Sequence, residues 1–137
     1  MEQLFQHFQY FKLFIMGNIY RHFFIQVNVD GTQTPIMSFF PNKYSILTNL
    51  GLNDYSKSIT IIRVLQEIKE ALVRKENYVF ASDDWCIVEV NGEKSVVSNG
   101  FDEYPPFEVE TSFIIQLLSD WKDFLIKYEN KEIPGLL

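Results

Sequence analysis

Residues 110–128 read ETSFIIQLLSDWKDFLIKY, and the periodicity of this stretch decides the fold. Phe113, Leu117, Trp121, Phe124 and Tyr128 follow one another at steps of four, four, three and four residues, the spacing that lines side chains along one face of an α-helix. Ile114, Leu118 and Leu125 broaden the stripe, while Gln116, Ser119, Lys122 and Asp123 fall mainly outside it. Asp123 precedes Lys127 by four residues, the favourable order for a pair along a helix. Thr111 or Ser112 is placed to supply the capping oxygen, and Asn130 with Pro134-Gly135 closes the run. An apolar face this wide must be covered, and the segments upstream supply a sheet to cover it.

Residues 21–29 alternate with period two: Phe23, Ile25, Val27 and Val29 face one way, His22, Phe24, Gln26 and Asn28 the other. This predicts a half-buried strand. Asp30-Gly31 predicts a type I′ hairpin turn. The return strand, residues 34–40, holds Pro35, which lacks an N–H and belongs at a strand start or a sheet edge. Residues 41–58, with Asn42, Asn49, Gly51, Asn53 and Asp54, read as a loop with a short turn of helix. Ile61, Leu65, Ile68 and Leu72 restore the helical period over residues 59–76, with Glu70 and Arg74 as an i,i+4 pair and Asn77 as a left-handed cap. Residues 78–81 form a short strand. Residues 85–90 and 94–98 flank Asn91-Gly92, a strong hairpin signal. A two-residue turn there sets Glu89 opposite Lys94 and Ile87 opposite Val96. Residues 99–106 are a turn-rich connection into the closing helix.

At the N-terminus, Leu4, Phe8, Phe11 and Ile15 are spaced four, three and four, which predicts a short amphipathic helix over residues 3–16. Its single basic residue, Lys12, is too little for a membrane-surface helix, so the expected contact is its own domain or a second copy. A secretory signal needs a basic start, an unbroken apolar core and a small-residue cleavage site, and all three are missing. No run of about 18 uncharged apolar residues is present to span a bilayer. The expectation is a soluble, cytoplasmic protein without a membrane partner. Residues 1–137 are read as one domain, with 1–16 an aromatic helix or arm and 17–137 an α+β core. The expected architecture is a mainly antiparallel sheet of about five strands packed by two long helices, in the order α-β-β-α-β-β-β-α.

Net charge is −6, which argues against a general nucleic-acid binder, since phosphate contacts need a basic surface. One cysteine, Cys86, excludes an internal disulfide framework. With only His7 and His22 beside it, no zinc-ligand spacing can be built, and the isolated glycines form no phosphate loop. No catalytic residue, metal or cofactor is therefore assigned, and the chain is not read as an enzyme. The acids are more informative. Residues 83–110 hold eight of them, Asp83, Asp84, Glu89, Glu93, Asp102, Glu103, Glu108 and Glu110, against Lys94 alone. That is −7 in one segment, while the rest of the chain nets +1. Trp85, Phe101, Tyr104 and Phe107 are interleaved with these acids, as anchors are at protein interfaces. Asp83, Asp84, Trp85, Glu93, Phe101, Asp102, Glu103, Tyr104 and Glu108 are the candidate partner-binding residues, weighed against a face that merely keeps the chain soluble.

The Asp-Asp-Trp strand at Asp83–Trp85, the Asn91-Gly92 hairpin and the helix with Leu117, Leu118, Trp121 and Phe124 together resemble small bacterial immunity proteins. The resemblance covers roughly residues 78–129. It implies an acidic inhibitor that binds and neutralises the catalytic domain of a cognate toxin, with a basic nuclease as the expected partner. The rival expectation is a non-enzymatic scaffold or adaptor that forms a homodimer through its aromatic N-terminus.

Overall fold

The computed structural model describes residues 6–16, 19–83, 85–101 and 105–132, with the backbone alone considered for 6–16. In chain order these form β1 (Gln6–Met16), β2 (Ile19–Val27), β3 (Gln33–Phe40), two 3₁₀-helices (Asn42–Gly51 and Asn53–Ser56) and α1 (Ser58–Arg74). They continue with β4 (Tyr78–Ser82), β5 (Cys86–Asn91), β6 (Lys94–Ser98), β7 (Phe107–Glu110) and α2 (Thr111–Glu129). The class is α+β with two long helices, as expected. The strands, however, form two antiparallel sheets, β1-β2-β3 and β4-β5-β6-β7, rather than one.

The stripe read from the sequence is the inner face of α2. Phe113, Leu117, Trp121 and Phe124 are buried, as are Ile114, Leu118 and Leu125. One core cluster takes in both sheets, both helices and the longer 3₁₀-helix. Trp121 sits at its centre. Its ring meets Phe23 of β2 edge-on at 5.1 Å and stacks on Phe124 at 5.5 Å. Its indole Nε1 donates to the Tyr55 carbonyl at 2.8 Å, so the one polar atom of this buried ring is satisfied. Beneath it the chain passes at Gly51, where a Cβ would come within 3.0 Å of Trp121 Cζ2 and 3.2 Å of Met37 Cε.

The start of α2 differs from expectation. At α2 the Thr111 hydroxyl does not cap the helix. It donates to the Gly92 carbonyl at 2.6 Å and lies 2.7 Å from Ser95 Oγ, tying the helix start to the β5–β6 turn. At α1 the cap comes from far along the chain: Glu129 accepts from Ser58 N at 2.9 Å and from Ser58 Oγ at 2.5 Å. Both helices end alike, on a lysine in the left-handed region, Lys75 (φ 57°) and Lys131 (φ 58°). Glu76 N reaches Ala71 O and Lys75 N reaches Leu72 O, a pattern repeated by Glu132 N on Lys127 O and Lys131 N on Tyr128 O. These are Schellman endings. The left-handed cap of α1 is thus Lys75 rather than Asn77.

In the first sheet, β2 alternates as read, with Phe23 and Ile25 inward, and Pro35 lies on β3 at the sheet edge. The hairpin turn is not type I′. Asn28 N bonds Thr32 O and Gly31 N bonds Asn28 O, with only Gly31 at positive φ, 87°. This is a three-residue loop with glycine in the left-handed position. The larger correction is at the N-terminus. Residues predicted as a helix form β1, antiparallel to β2 from Gln6↔Val27 to Met16↔Ile19, with an irregularity between Tyr10 and Phe14. Aromatic residues dense enough to satisfy a helical period also favour strands, and pairing with β2 settles the choice.

The stretch predicted as a loop is also structured. The longer 3₁₀-helix buries Ile46, Leu47 and Leu50, and Tyr55 of the shorter one is buried too. In the second sheet the β5–β6 register is Asn91↔Lys94, Glu89↔Val96 and Ile87↔Ser98. Gly92 (φ 67°) leads a two-residue loop with Glu93, a turn that needs one left-handed residue rather than two. The slip of two positions leaves every side chain on its expected face. It changes the partner of Lys94, which pairs with Glu110 of β7, a strand not expected between the 99–106 connection and the closing helix.

Candidate docking surface

The second sheet separates the nominated residues into two groups. Its β4–β5 turn and the β6–β7 connection lie at one end, carrying Asp83, Trp85 and Phe101. Glu93 sits in the β5–β6 turn at the other end, about 20 Å away along a six-residue strand. Glu108 lies between them on β7, exposed to solvent. Asp84, Asp102, Glu103 and Tyr104 fall outside the described residues.

At the first end Trp85 and Phe101 stand together, 47% and 50% exposed, with ring centroids 4.9 Å apart. Asn99, buried at the end of β6, holds this pair from below. Its Nδ2 donates to the Trp85 carbonyl at 2.9 Å and its Oδ1 accepts from Phe101 N at 2.8 Å. Asn49 of the longer 3₁₀-helix reaches the same Trp85 carbonyl at 3.4 Å. Next to them Asp83 (φ 50°) accepts from Asn53 (φ 55°) at 3.0 Å. Both residues are in the left-handed region, which Asn and Asp tolerate better than other L-residues. Neither Asn99, Asn49 nor Asn53 was nominated from sequence, because a turn asparagine carries no sign of which backbone it will hold.

Between the two ends runs the outer face of the sheet. Cross-strand pairing sets Val79, Glu89, Val96 and Glu108 in one row and Ala81, Ile87 and Ser98 in the next. Val79 is 56% exposed and Glu89 and Glu108 are both open to solvent. A third row brings Asn91, Lys94 and Glu110 together. The Lys94 ammonium bonds Glu110, and that contact, with Glu108 and Glu93 nearby, raises its pKa. The face alternates small apolar side chains with carboxylates, Glu89 lying between Val79 and Val96, and its lysine, Lys94, is engaged by Glu110.

Away from this face, several polar side chains among the described residues make contacts within the fold. Cys86 is fully buried and burial pushes its thiol pKa up to about 12, far from a nucleophile's. Ser38 Oγ lies 2.8 Å from His22 Nδ1 as a cross-strand contact between β2 and β3. Arg21 of β2 and Asp120 of α2 form a buried ion pair at 2.5 Å, with Gln116 donating to the other carboxylate oxygen at 3.1 Å. Burial lowers the Arg21 pKa and Asp120 opposes the shift. No local sequence signal marks this pair, whose members lie 99 residues apart in the chain. Among the described residues no group of three or more His, Cys, Asp or Glu side chains is placed to hold a metal ion, and no helix is long and apolar enough to cross a membrane. Comparison with known protein families, with curated proteins and with solved structures returns no match to this chain.

Proposed function

We propose that this chain is a binding protein that captures a basic protein partner on the acidic outer face of its second sheet and on the Trp85–Phe101 tip. Following the resemblance to immunity proteins, the partner is a toxin domain that the complex silences. The observation that carries the reading is the exposed aromatic pair held from beneath by Asn99. Large exposed aromatics fixed in one geometry lose little entropy on binding, which is how interface anchors work. The carboxylates around them attract a cationic partner and orient its approach.

The test is co-expression with the product of the neighbouring gene. That product should be toxic alone, and the intact chain should rescue growth and form a complex with it. Trp85→Ala with Phe101→Ala should abolish rescue and complex while leaving the melting temperature within about 2 °C, since both side chains are half exposed. Rescue that survives this double change sinks the proposed tip. Absence of both toxicity and complex sinks the immunity reading.

A further inference from the structure

Helix α1 carries a second surface, on the side away from the core. Ile61, Val64, Leu65, Ile68 and Ala71 are its buried side. On the opposite side Ile59 is 73% exposed, Ile62 48% and Val73 83%. At 3.6 residues per turn, Ile59, Ile62, Gln66 and Val73 fall in one stripe about 60° wide. Apolar side chains thus occupy both ends of the solvent face, with Gln66 between them.

This stripe is self-complementary. When a surface meets its own copy across a two-fold axis, facing positions must straddle a single centre. Ile59 and Val73 straddle Gln66. Arg63 and Glu70, side by side along one border of the stripe, straddle almost the same point. Two such helices laid antiparallel set Ile59 of each copy against Val73 of the other and Arg63 against Glu70 twice, with Ile62 level with Lys69 and Glu70 of the other helix. A parallel arrangement sets Arg63 on Arg63 and Glu70 on Glu70. The charges therefore select the antiparallel pair. Within its own helix Arg63 lies 3.2 Å from Glu67 and Gln66 lies 3.1 Å from Glu70. Exposed contacts of this kind hold side chains weakly, so exchanging them across the axis is easy.

We infer that α1 is a dimerisation helix, pairing antiparallel with α1 of a second copy of this chain about an axis at Gln66. The surface is separate from the acidic sheet face, so a dimer presents two docking faces. A single 17-residue helix covers less than the roughly 1,600 Å² of a standard interface, and the dimer is accordingly concentration-dependent.

Sedimentation of the full chain over a hundredfold concentration range should show a monomer–dimer equilibrium. Ile59→Glu and Val73→Glu should each shift it to monomer at every concentration, without lowering the melting temperature measured at dilutions where the unaltered chain is itself monomeric. Arg63→Glu or Glu70→Arg alone should weaken the dimer about tenfold or more, the effect of placing like charges face to face, and the two together should restore it. Gln66→Cys should cross-link rapidly with a short bis-maleimide, and Glu89→Cys on the second sheet should not, Cys86 being buried and silent. A chain monomeric at all concentrations overturns the inference. So does a dimer indifferent to Ile59→Glu and Val73→Glu, equal cross-linking at the two cysteines, or a double charge reversal that fails to restore association.

Discussion

Three buried residues show how differently side chains of one core behave. Trp121 fills the centre and spends its only donor on the Tyr55 carbonyl. Trp121→Ala should cost about 3–5 kcal/mol in urea unfolding, the range for truncating a core aromatic. Trp121→Phe should cost less in packing yet still leave the carbonyl unpaired, about 1–3 kcal/mol. A loss below about 1 kcal/mol for the alanine variant would mean that this face is not the core. Asp120 is the counterpart case. Removing it strands the Arg21 guanidinium in the interior without its carboxylate, so Asp120→Ala should cost about 3–5 kcal/mol, whereas Arg21→Met with Asp120→Leu should recover much of that. Cys86 is silent until the chain opens. With a thiol pKa of about 12 against an ordinary value near 9, the folded state holds its proton where the unfolded state has lost it. Its contribution to stability is therefore complete below about pH 9 and declines as pH climbs toward 12. Thiol reagents at pH 8 should label Cys86 only at the rate of unfolding, and Cys86→Ala should soften the alkaline loss. Fast labelling of the native protein would contradict its burial.

At the scale of elements, side chains from distant segments finish what local sequence leaves open. The start of α1 is capped by Glu129 from the end of α2, where the carboxylate also meets the positive end of the helix dipole. Glu129→Ala should lower stability by about 0.5–2 kcal/mol, the usual cost of losing a cap, with Asp123→Ala, on the solvent side of α2, near neutral. Gly51→Ala should cost about 1–3 kcal/mol by overpacking, because its Cβ meets Trp121 and Met37. No local pattern announces either role. What the chain did announce were the elements whose period is set by a single face: α2 and α1 within two residues, β2 by its alternation, β6 from end to end. It misled where one composition serves two periods, as in β1. It also misled where turn geometry is indifferent to burial, as in the β5–β6 loop, whose two-residue slip preserves the faces and moves only Lys94. Of the nominated aromatics, Trp85 and Phe101 meet at the tip, and Tyr104 lies outside the described residues. The clamp beneath Trp85 and Phe101 was not legible in the sequence, because Asn99 acts through backbone atoms of two other residues.

For the molecule as a whole, the charge excess of the chain lies in residues 83–110, and the fold spreads its described part over one sheet face and both of its ends. Glu89 and Glu108 sit two strands apart in one row, with Val96 between them, about 10 Å from each other. At that separation, in water and salt, their mutual repulsion is small, and neither carboxylate holds part of the fold as Glu129 does. Replacing both by glutamine should therefore leave the melting temperature unchanged or slightly raised. Association with a basic partner should slow several-fold, and the salt dependence of that rate should flatten, because long-range attraction acts mainly on encounter. The matched control is Asp123→Asn with Glu132→Gln, two exposed acids outside the segment that remove the same net charge. Equal slowing by both pairs would show that only the total charge of the protein matters. Slowing confined to Glu89 and Glu108 places the encounter on the sheet face, where the exposed edge of Val79 and the Trp85–Phe101 tip offer the apolar contact that charge alone does not provide.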